Sequence, residues 1–385
     1  MTVCAIEEAT EDAAVRRAAF TISPDGCYAA RLAGAGEMRF AERWTLDGPE
    51  PYAVPLPLDQ PEEPDAQVAP MADGRVLISR RVADRQMFSL LYPTGPGTGE
   101  LPLGAVESAS EMTLLPPSPN GTCVYALAHG EGATAVWLVA GGAFGPERVA
   151  QVPGRCSGGV WLDRTGRMLA LDREADGITK AVAVDLERGG EVTPLLQITE
   201  DSNDRLLLAD AESGLLLIRS DAAGHDRLGW GVLGSLRPVR FPECLRLADA
   251  AVTPFAIQPG QVLMPESCAV ALRIDAAAGS WLGVWRPSAR RMRQLAGPEG
   301  WLTGTGLWTR EGVLHLPYAT DAVPCGVART EIPEAAFQPE TVTVITGSAQ
   351  AESAGGEPCA SEGGPVVCRP VPLQQAPLIG RVAPG

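Results

Sequence analysis

Residues 159–198 read GVWLDRTGRMLALDREADGITKAVAVDLERGGEVTPLLQI, and their pattern decides the fold. Four apolar runs, Gly159–Leu162, Arg167–Leu171, Lys180–Leu186 and Val192–Ile198, are parted by turns at Gly166, Asp176-Gly177 and Gly189-Gly190. Runs of about five residues between Gly-rich turns have the dimensions of strands in one antiparallel sheet. The turn chemistry has a mechanical cause: Gly accepts positive φ, and Asp, Asn or Ser bonds the backbone two residues on.

The first turn of this unit, Asp163-Arg164-Thr165-Gly166, is one of seven such turns. The others are Ser23-Pro24-Asp25-Gly26, Ala72-Asp73-Gly74, Ser118-Pro119-Asn120-Gly121, Ala211-Glu212-Ser213-Gly214, Pro265-Glu266-Ser267 and Thr309-Arg310-Glu311-Gly312. From Gly26 they follow at steps of 48, 47, 45, 48, 53 and 45 residues. Four short strands per unit at this period predict an all-β fold, a seven-bladed β-propeller of four-stranded antiparallel blades.

Inner strands are expected at Ala19–Ile22, Val68–Met71, Thr113–Leu115, Gly159–Leu162, Leu206–Ala209, Gln261–Met264 and Leu307-Trp308. In the sixth unit Gln258-Pro259-Gly260 offers a competing turn. Third strands carry the large aromatics, Phe40, Trp44, Phe88, Tyr92, Trp137, Trp230, Trp281 and Trp285, which are expected to fill the wide outer part of each blade. The propeller is assigned to residues 1–346, a flexible Gly/Ala/Ser/Glu-rich linker to 347–365, and a tail to 366–385. A terminal strand, Thr2–Ile6 or Val366–Pro372, is expected to close the ring; the one helix-like stretch is Glu7 to Arg17.

The 385 residues carry a formal charge of −16, and 30 of the 31 basic residues are Arg, Lys180 being the exception. An acidic body repels phosphate backbones and anionic lipid, so neither nucleic-acid nor membrane partners are expected. The first residues show no export signal and no apolar run approaches the ~20 residues of a membrane span, so a cytoplasmic protein is expected. None of the nine cysteines form a C-x-x-C pair, and they are expected to be reduced, although a Cys359–Cys368 bridge stays open. No zinc spacing, phosphate-binding loop or dinucleotide fingerprint occurs, so neither a metal nor a cofactor is expected. Glu200-Asp201-Ser202-Asn203-Asp204 lacks the Gly and the closing Glu of a helix-flanked calcium loop.

The Ser-Pro-Asp-Gly turn at 23–26, the Ser-Pro-Asn-Gly turn at 118–121 and the degenerate turns at Gly74, Gly166 and Gly312 resemble those of TolB-like propellers. This group includes the N-terminal propeller of prolyl-oligopeptidase-like peptidases, and the resemblance spans roughly residues 15 to 346. Those peptidases add an α/β-hydrolase domain with a Gly-x-Ser-x-Gly nucleophile elbow. The pentapeptide does not occur here, so the resemblance implies the propeller and not peptidase activity.

Loops between units and between second and third strands converge on one mouth of the channel, where a rigid scaffold favours binding sites. Two of the three histidines, His129 and His225, fall there and are the candidate proton-transfer groups. Arg155, Arg173, Glu131, Asp226 and Trp301 are the candidate substrate-binding residues. The expected function is a small-molecule site at this mouth, with a cofactor-independent proton transfer of lyase, isomerase or cyclase type as its chemistry. Two alternatives stand beside it: a protein-interaction scaffold, and a propeller that captures peptides without cutting them.

Overall fold

The computed structural model describes residues 20–35 and 38–332. The chain divides into Met1–Pro339 and Glu340–Gly385, and the second unit lies outside the described residues. Also outside them lie the helix-like stretch, both proposed closing strands, the linker and Cys359 with Cys368.

Seven antiparallel sheets follow one another along the chain. Blade one holds β1 (Thr21–Ile22), β2 (Tyr28–Ala35), β3 (Met38–Thr45) and β4 (Tyr52–Leu56). Blade two holds β5 (Gln67–Pro70), β6 (Val76–Val82), β7 (Arg85–Pro93) and β8 (Thr98–Glu107). Blade three is β9 (Met112–Leu114), β10 (Val124–His129), β11 (Ala133–Ala140) and β12 (Glu147–Pro153). Blade four is β13 (Arg155–Trp161), β14 (Met168–Ala175), β15 (Ile178–Asp185) and β16 (Glu191–Leu196). Blade five has β17 (Asp204–Ala209), β18 (Leu215–Ser220) and β19 (Arg227–Val232), with a Trp230–Arg240 bridge where a fourth strand would run. Blade six has β20 (Ala250–Ile257), β21 (Val270–Ala276), β22 (Gly279–Trp285) and β23 (Arg293–Leu295). Blade seven shows β24 (Leu307–Trp308), β25 (Val313–Tyr318) and β26 (Gly326–Glu331) among the described residues.

The buried apolar side chains sort into seven clusters, each shared by two neighbouring blades. That arrangement is what a ring of seven wedges requires, because each sheet buries one face against the sheet before it and one against the sheet after. Third-strand aromatics supply the bulk: Trp44, Phe88 and Trp285 are fully buried. Burying Phe88 alone contributes roughly 2–3 kcal/mol. Blade one closes on blade seven by packing, with Phe20, Ala29 and Trp44 against Leu302, Ala319 and Cys325. Arg329 of β26 also donates to the Gly48 carbonyl of blade one at 3.4 Å.

The repeated turns work as the sequence implies. In blade one Ser23 Oγ accepts from the Tyr28 amide at 3.0 Å and Asp25 accepts from the Cys27 amide at 3.0 Å. Ser118 and Asn120 repeat these bonds to Cys123 and Thr122. In blade four Asp163 takes over both roles, accepting from four successive amides, Thr165 to Met168. Gly26 and Gly166 sit at φ 75° and 79°, where a Cβ would be strained. Across the lower mouth Glu212 of the blade-five turn receives Arg310 from blade seven and Arg164 from blade four.

Blade six departs from expectation. Its inner strand is Ala250–Ile257, not Gln261–Met264, which lies in the loop that leads from β20 to β21. Burial decides the matter, since Val252, Pro254 and Ala256 point inward whereas Val262, Leu263 and Met264 face solvent. Pro254 and the register shift between Pro254 and Ala256 disguise the true strand, because a mid-strand Pro reads as a breaker. Gly260, at φ 92°, belongs to the turn that ends it.

Candidate functional site

Inner strands start at the upper face, where each blade's second-to-third hairpin meets the connection into the next blade. Polar side chains there gather in the crevices between neighbouring blades.

The crevice between blades three and four holds four of the residues singled out in the sequence. His129 ends β10, and its Nδ1 lies 3.3 Å from Thr134 Oγ1. Thr134 donates its own proton to the Gly154 carbonyl at 3.0 Å and accepts from the Cys156 amide. His129 Nδ1 therefore donates to the hydroxyl oxygen, which leaves Nε2 free as an acceptor. Burial, and secondarily Arg155, push the imidazole below its ordinary pKa, so it is neutral at pH 7. Glu131 is exposed in the adjoining turn, and Arg155 pairs in register with Glu174. Arg173 packs alongside Gly154, with its Nε buried and without a hydrogen-bond partner. Cys156 is buried, and burial pushes its thiol up to about 11, so it is no activated nucleophile.

Between blades four and five the polar groups are closed over one another. Asp204, fully buried at the start of β17, pairs with Lys180 at 2.9 Å. Ser202, Ser220 and the Ile198 amide also donate to it. Burial opposes ionisation here, but these donors hold the Asp204 carboxyl below the ordinary range. Asp221 accepts two bonds from Asn203, at 2.7 and 2.8 Å. Asp172 accepts from the Leu206 amide at 2.9 Å, and burial raises its pKa to about 6 against the pull of that bond and of Arg205.

The crevice between blades five and six is open. It forms a pocket of about 200 Å³. Leu228, Leu245, Leu247 and Val252 give it an apolar floor, and Arg219, Asp226, Arg227 and Arg246 give it a charged rim. Arg219 donates to the Val252 carbonyl at 3.1 Å and stands 3.6 Å from Asp226. Arg227 pairs with Glu243, and Arg246 lies 4.0 Å from the same carboxylate. The pocket walls raise the Asp226 carboxyl, yet its side chain is 64% exposed, so solvent screens most of that effect. His225 sits exposed at the tip of the same hairpin, beside the pocket and not in its lining.

The two histidines thus lie at different crevices, with the closed one between them. Trp301 belongs elsewhere, in the connection from blade six to seven. Its Nε1 donates to the Thr305 carbonyl at 3.0 Å and its ring packs 5.7 Å from Phe255. Sequence reasoning missed Arg219 and Arg246, which no motif marks. It also missed the Lys180–Asp204 pair, although a single lysine among 31 basic residues was a usable signal. Among the described residues, no three His, Cys, Asp or Glu side chains gather as metal ligands would. No described helix is long and apolar enough to cross a membrane.

No protein-family profile matches the chain, and no curated protein matches it in sequence. Solved structures do match in fold. Prolyl oligopeptidase B from Galerina marginata, bound to a 35mer substrate, is 13% identical with a TM-score of 0.53; the match covers 86% of this chain and 52% of that one. Oligogalacturonate lyase from Vibrio parahaemolyticus is 10% identical with a TM-score of 0.52, covering 84% and 90%. TolB from Acinetobacter baumannii is 13% identical with a TM-score of 0.45, covering 72% and 63%. The chain therefore spans about half of the peptidase and under two thirds of TolB. What the likenesses to the peptidase and the lyase support is the fold alone, in agreement with the seven antiparallel sheets of this chain.

Proposed function

We propose that the upper face binds a small carboxylate-bearing molecule in the crevice between blades five and six. One observation carries the reading: an apolar-floored pocket of about 200 Å³ with three arginines and one carboxylate on its rim. Arginine forks match a carboxylate geometrically, and an apolar floor would take the uncharged body of the ligand. Support of a second kind comes from the fold neighbour whose name, oligogalacturonate lyase, specifies an acid-sugar oligomer.

A lyase step would suit such a ligand. A base removes the proton on the carbon next to the carboxylate, the electron pair forms a C=C bond, and the oxygen substituent on the following carbon leaves. His225, beside the pocket, is the proposed base. For a longer ligand, His129, Glu131, Arg155 and Arg173 would supply a second contact region two blades away, and Trp301 a third. The six described cysteines are free thiols, which agrees with a reducing, cytoplasmic setting.

Titration calorimetry with galacturonate and short oligogalacturonates tests the binding. Arg219→Ala and Arg246→Ala are each expected to weaken it by about tenfold or more, the weight of one charge-assisted hydrogen bond. No heat with any of these acids, or binding indifferent to both changes, overturns the proposal. Unsaturated product detected by ultraviolet absorbance, and lost in His225→Ala, is the expected result for the catalytic step.

A further inference from the structure

The lower ends of the same two blades have the opposite character from the rest of this acidic protein. From 227 to 293 the sequence holds nine arginines and four carboxylates, a net +5 within a chain of −16. Three loops meet there: 233–237 after β19, 258–268 after β20, and 286–292 after β22. Ser288 N donates to the Glu266 carbonyl at 3.0 Å and Arg237 lies 3.8 Å from the Glu266 side chain, so the loops form one surface. Glu266 is the one carboxylate in these loops.

Two features of this surface are unexplained by the fold. Leu236 is fully exposed, Leu263 is 94% exposed, and Val262 and Met264 are more than half exposed. Phe144 and Met38 are comparably exposed in other blades, whereas here four apolar tips crowd into two loops that touch, and it is such a contiguous patch that marks an interaction site. Arg290, Arg291 and Arg293 are exposed beside them, and none forms an ion pair among the described residues. Elsewhere on the lower face carboxylates such as Asp25, Asp47, Glu50 and Asp73 are exposed, and the exposed Arg164 and Arg310 both face Glu212. An anionic bilayer laid against this face would meet those carboxylates. A narrow segment confined to these loops of blades five and six would meet the arginines, the apolar tips and a single carboxylate, Glu266, which Arg237 faces at 3.8 Å.

We propose that these three loops, with Arg293 at the start of β23, dock an acidic protein segment carrying apolar side chains, with its carboxylates on Arg290, Arg291 and Arg293 and its apolar groups on Leu236, Val262 and Leu263. The surface lies at the far end of β20 from the upper pocket, roughly 26 Å away for an eight-residue strand. It is therefore independent of the carboxylate site. The occupant is a macromolecule read by charge and apolar contact together, which makes its binding steeply salt-dependent.

Selection of a random peptide library on phage against the full chain tests this. Enriched peptides are expected to be acidic with interspersed Leu, Phe or Met. A fluorescent copy of the strongest is expected to lose at least about tenfold in affinity with Arg290→Glu/Arg291→Glu, and again with Val262→Ser/Leu263→Ser. Both changes lie in solvent-facing loops, so circular dichroism should be unchanged. Enrichment of non-acidic peptides, or affinity indifferent to both double variants, overturns the proposal. So does binding to vesicles of phosphatidylserine and phosphatidylcholine that the arginine reversals abolish, which would make the occupant a lipid surface. Concentration-dependent self-association abolished by the same reversals would make it a second copy, and equally refutes the inference.

Discussion

The crevices on either side of blade five occupy equivalent positions in the ring, yet one is sealed and the other is open. Between blades four and five, Lys180, Asp204, Ser202 and Ser220 satisfy one another away from water. Between blades five and six, Arg219 and Asp226 stand 3.6 Å apart at a solvent-exposed rim, and Arg227 and Arg246 share one carboxylate. The same inter-blade geometry therefore permits either a structural plug or a receptor. What separates them is connection length and content. The link from β16 to β17 is short and folds its own Ser202 and Asn203 into the crevice, whereas the link from β19 to β20 passes through Pro242 and the turn Glu243–Leu245 and stands clear.

If that contrast is sound, the sealed crevice should fail hardest. Asp204→Ala leaves the Lys180 ammonium with no carboxylate in a buried setting and is expected to destabilise by about 3–5 kcal/mol. Asp204→Ala/Lys180→Met should recover much of this, because removing both charges leaves neither unpaired. Urea denaturation of the three proteins measures it. A loss under about 1 kcal/mol for Asp204→Ala would mean that the crevice is as wet as its neighbour, and the comparison would break.

Asp172 sharpens the comparison through pH. Its carboxyl, buried on β14 beneath the sealed crevice, moves from its ordinary 3.8 to about 6. The folded chain then holds that proton more tightly than the unfolded chain, so ionising Asp172 weakens the fold. Its contribution is most favourable below pH 4 and is lost as pH rises through 6, on the order of 2–3 kcal/mol in full. Asp172→Asn keeps an acceptor for the Leu206 amide and removes the titration. It should be more stable than the parent at pH 7 and equal to it near pH 4, as followed by thermal melting. Equal stabilities at both pH values would place Asp172 in contact with water.

Much of the architecture was legible because turn chemistry repeats. Ser23, Ser118 and Asp163 do the same work in three blades, and of the third-strand aromatics Trp44, Phe88, Trp230 and Trp285 are buried as expected, whereas Tyr92 faces solvent. Blade six was misread because the exposed run Gln261-Val262-Leu263-Met264 looks more like a strand than Ala250–Ile257 with its central Pro254. An apolar run that belongs to a surface defeats a rule built on burial. The site was far less legible. Hairpin position led to His129, Arg173 and Asp226 and the connection between units to Arg155, but which crevice stays open depends on how a connection packs. Arg219 and Arg246 look like any other arginine in a chain with thirty of them.

The smallest effect belongs to the open crevice. Asp226→Ala removes a mostly exposed partner of Arg219, and a pair of that kind is worth about 0.2–1 kcal/mol. A double-mutant cycle over Arg219 and Asp226, read by urea midpoints without ligand, should give a coupling within that range. The guanidinium is then free to exchange Asp226 for the carboxylate of a ligand at little cost, which is what a receptor rim needs and a plug forbids. A coupling above about 2 kcal/mol would show the pair to be desolvated and the crevice shut in solution, and the carboxylate site would lose its entrance.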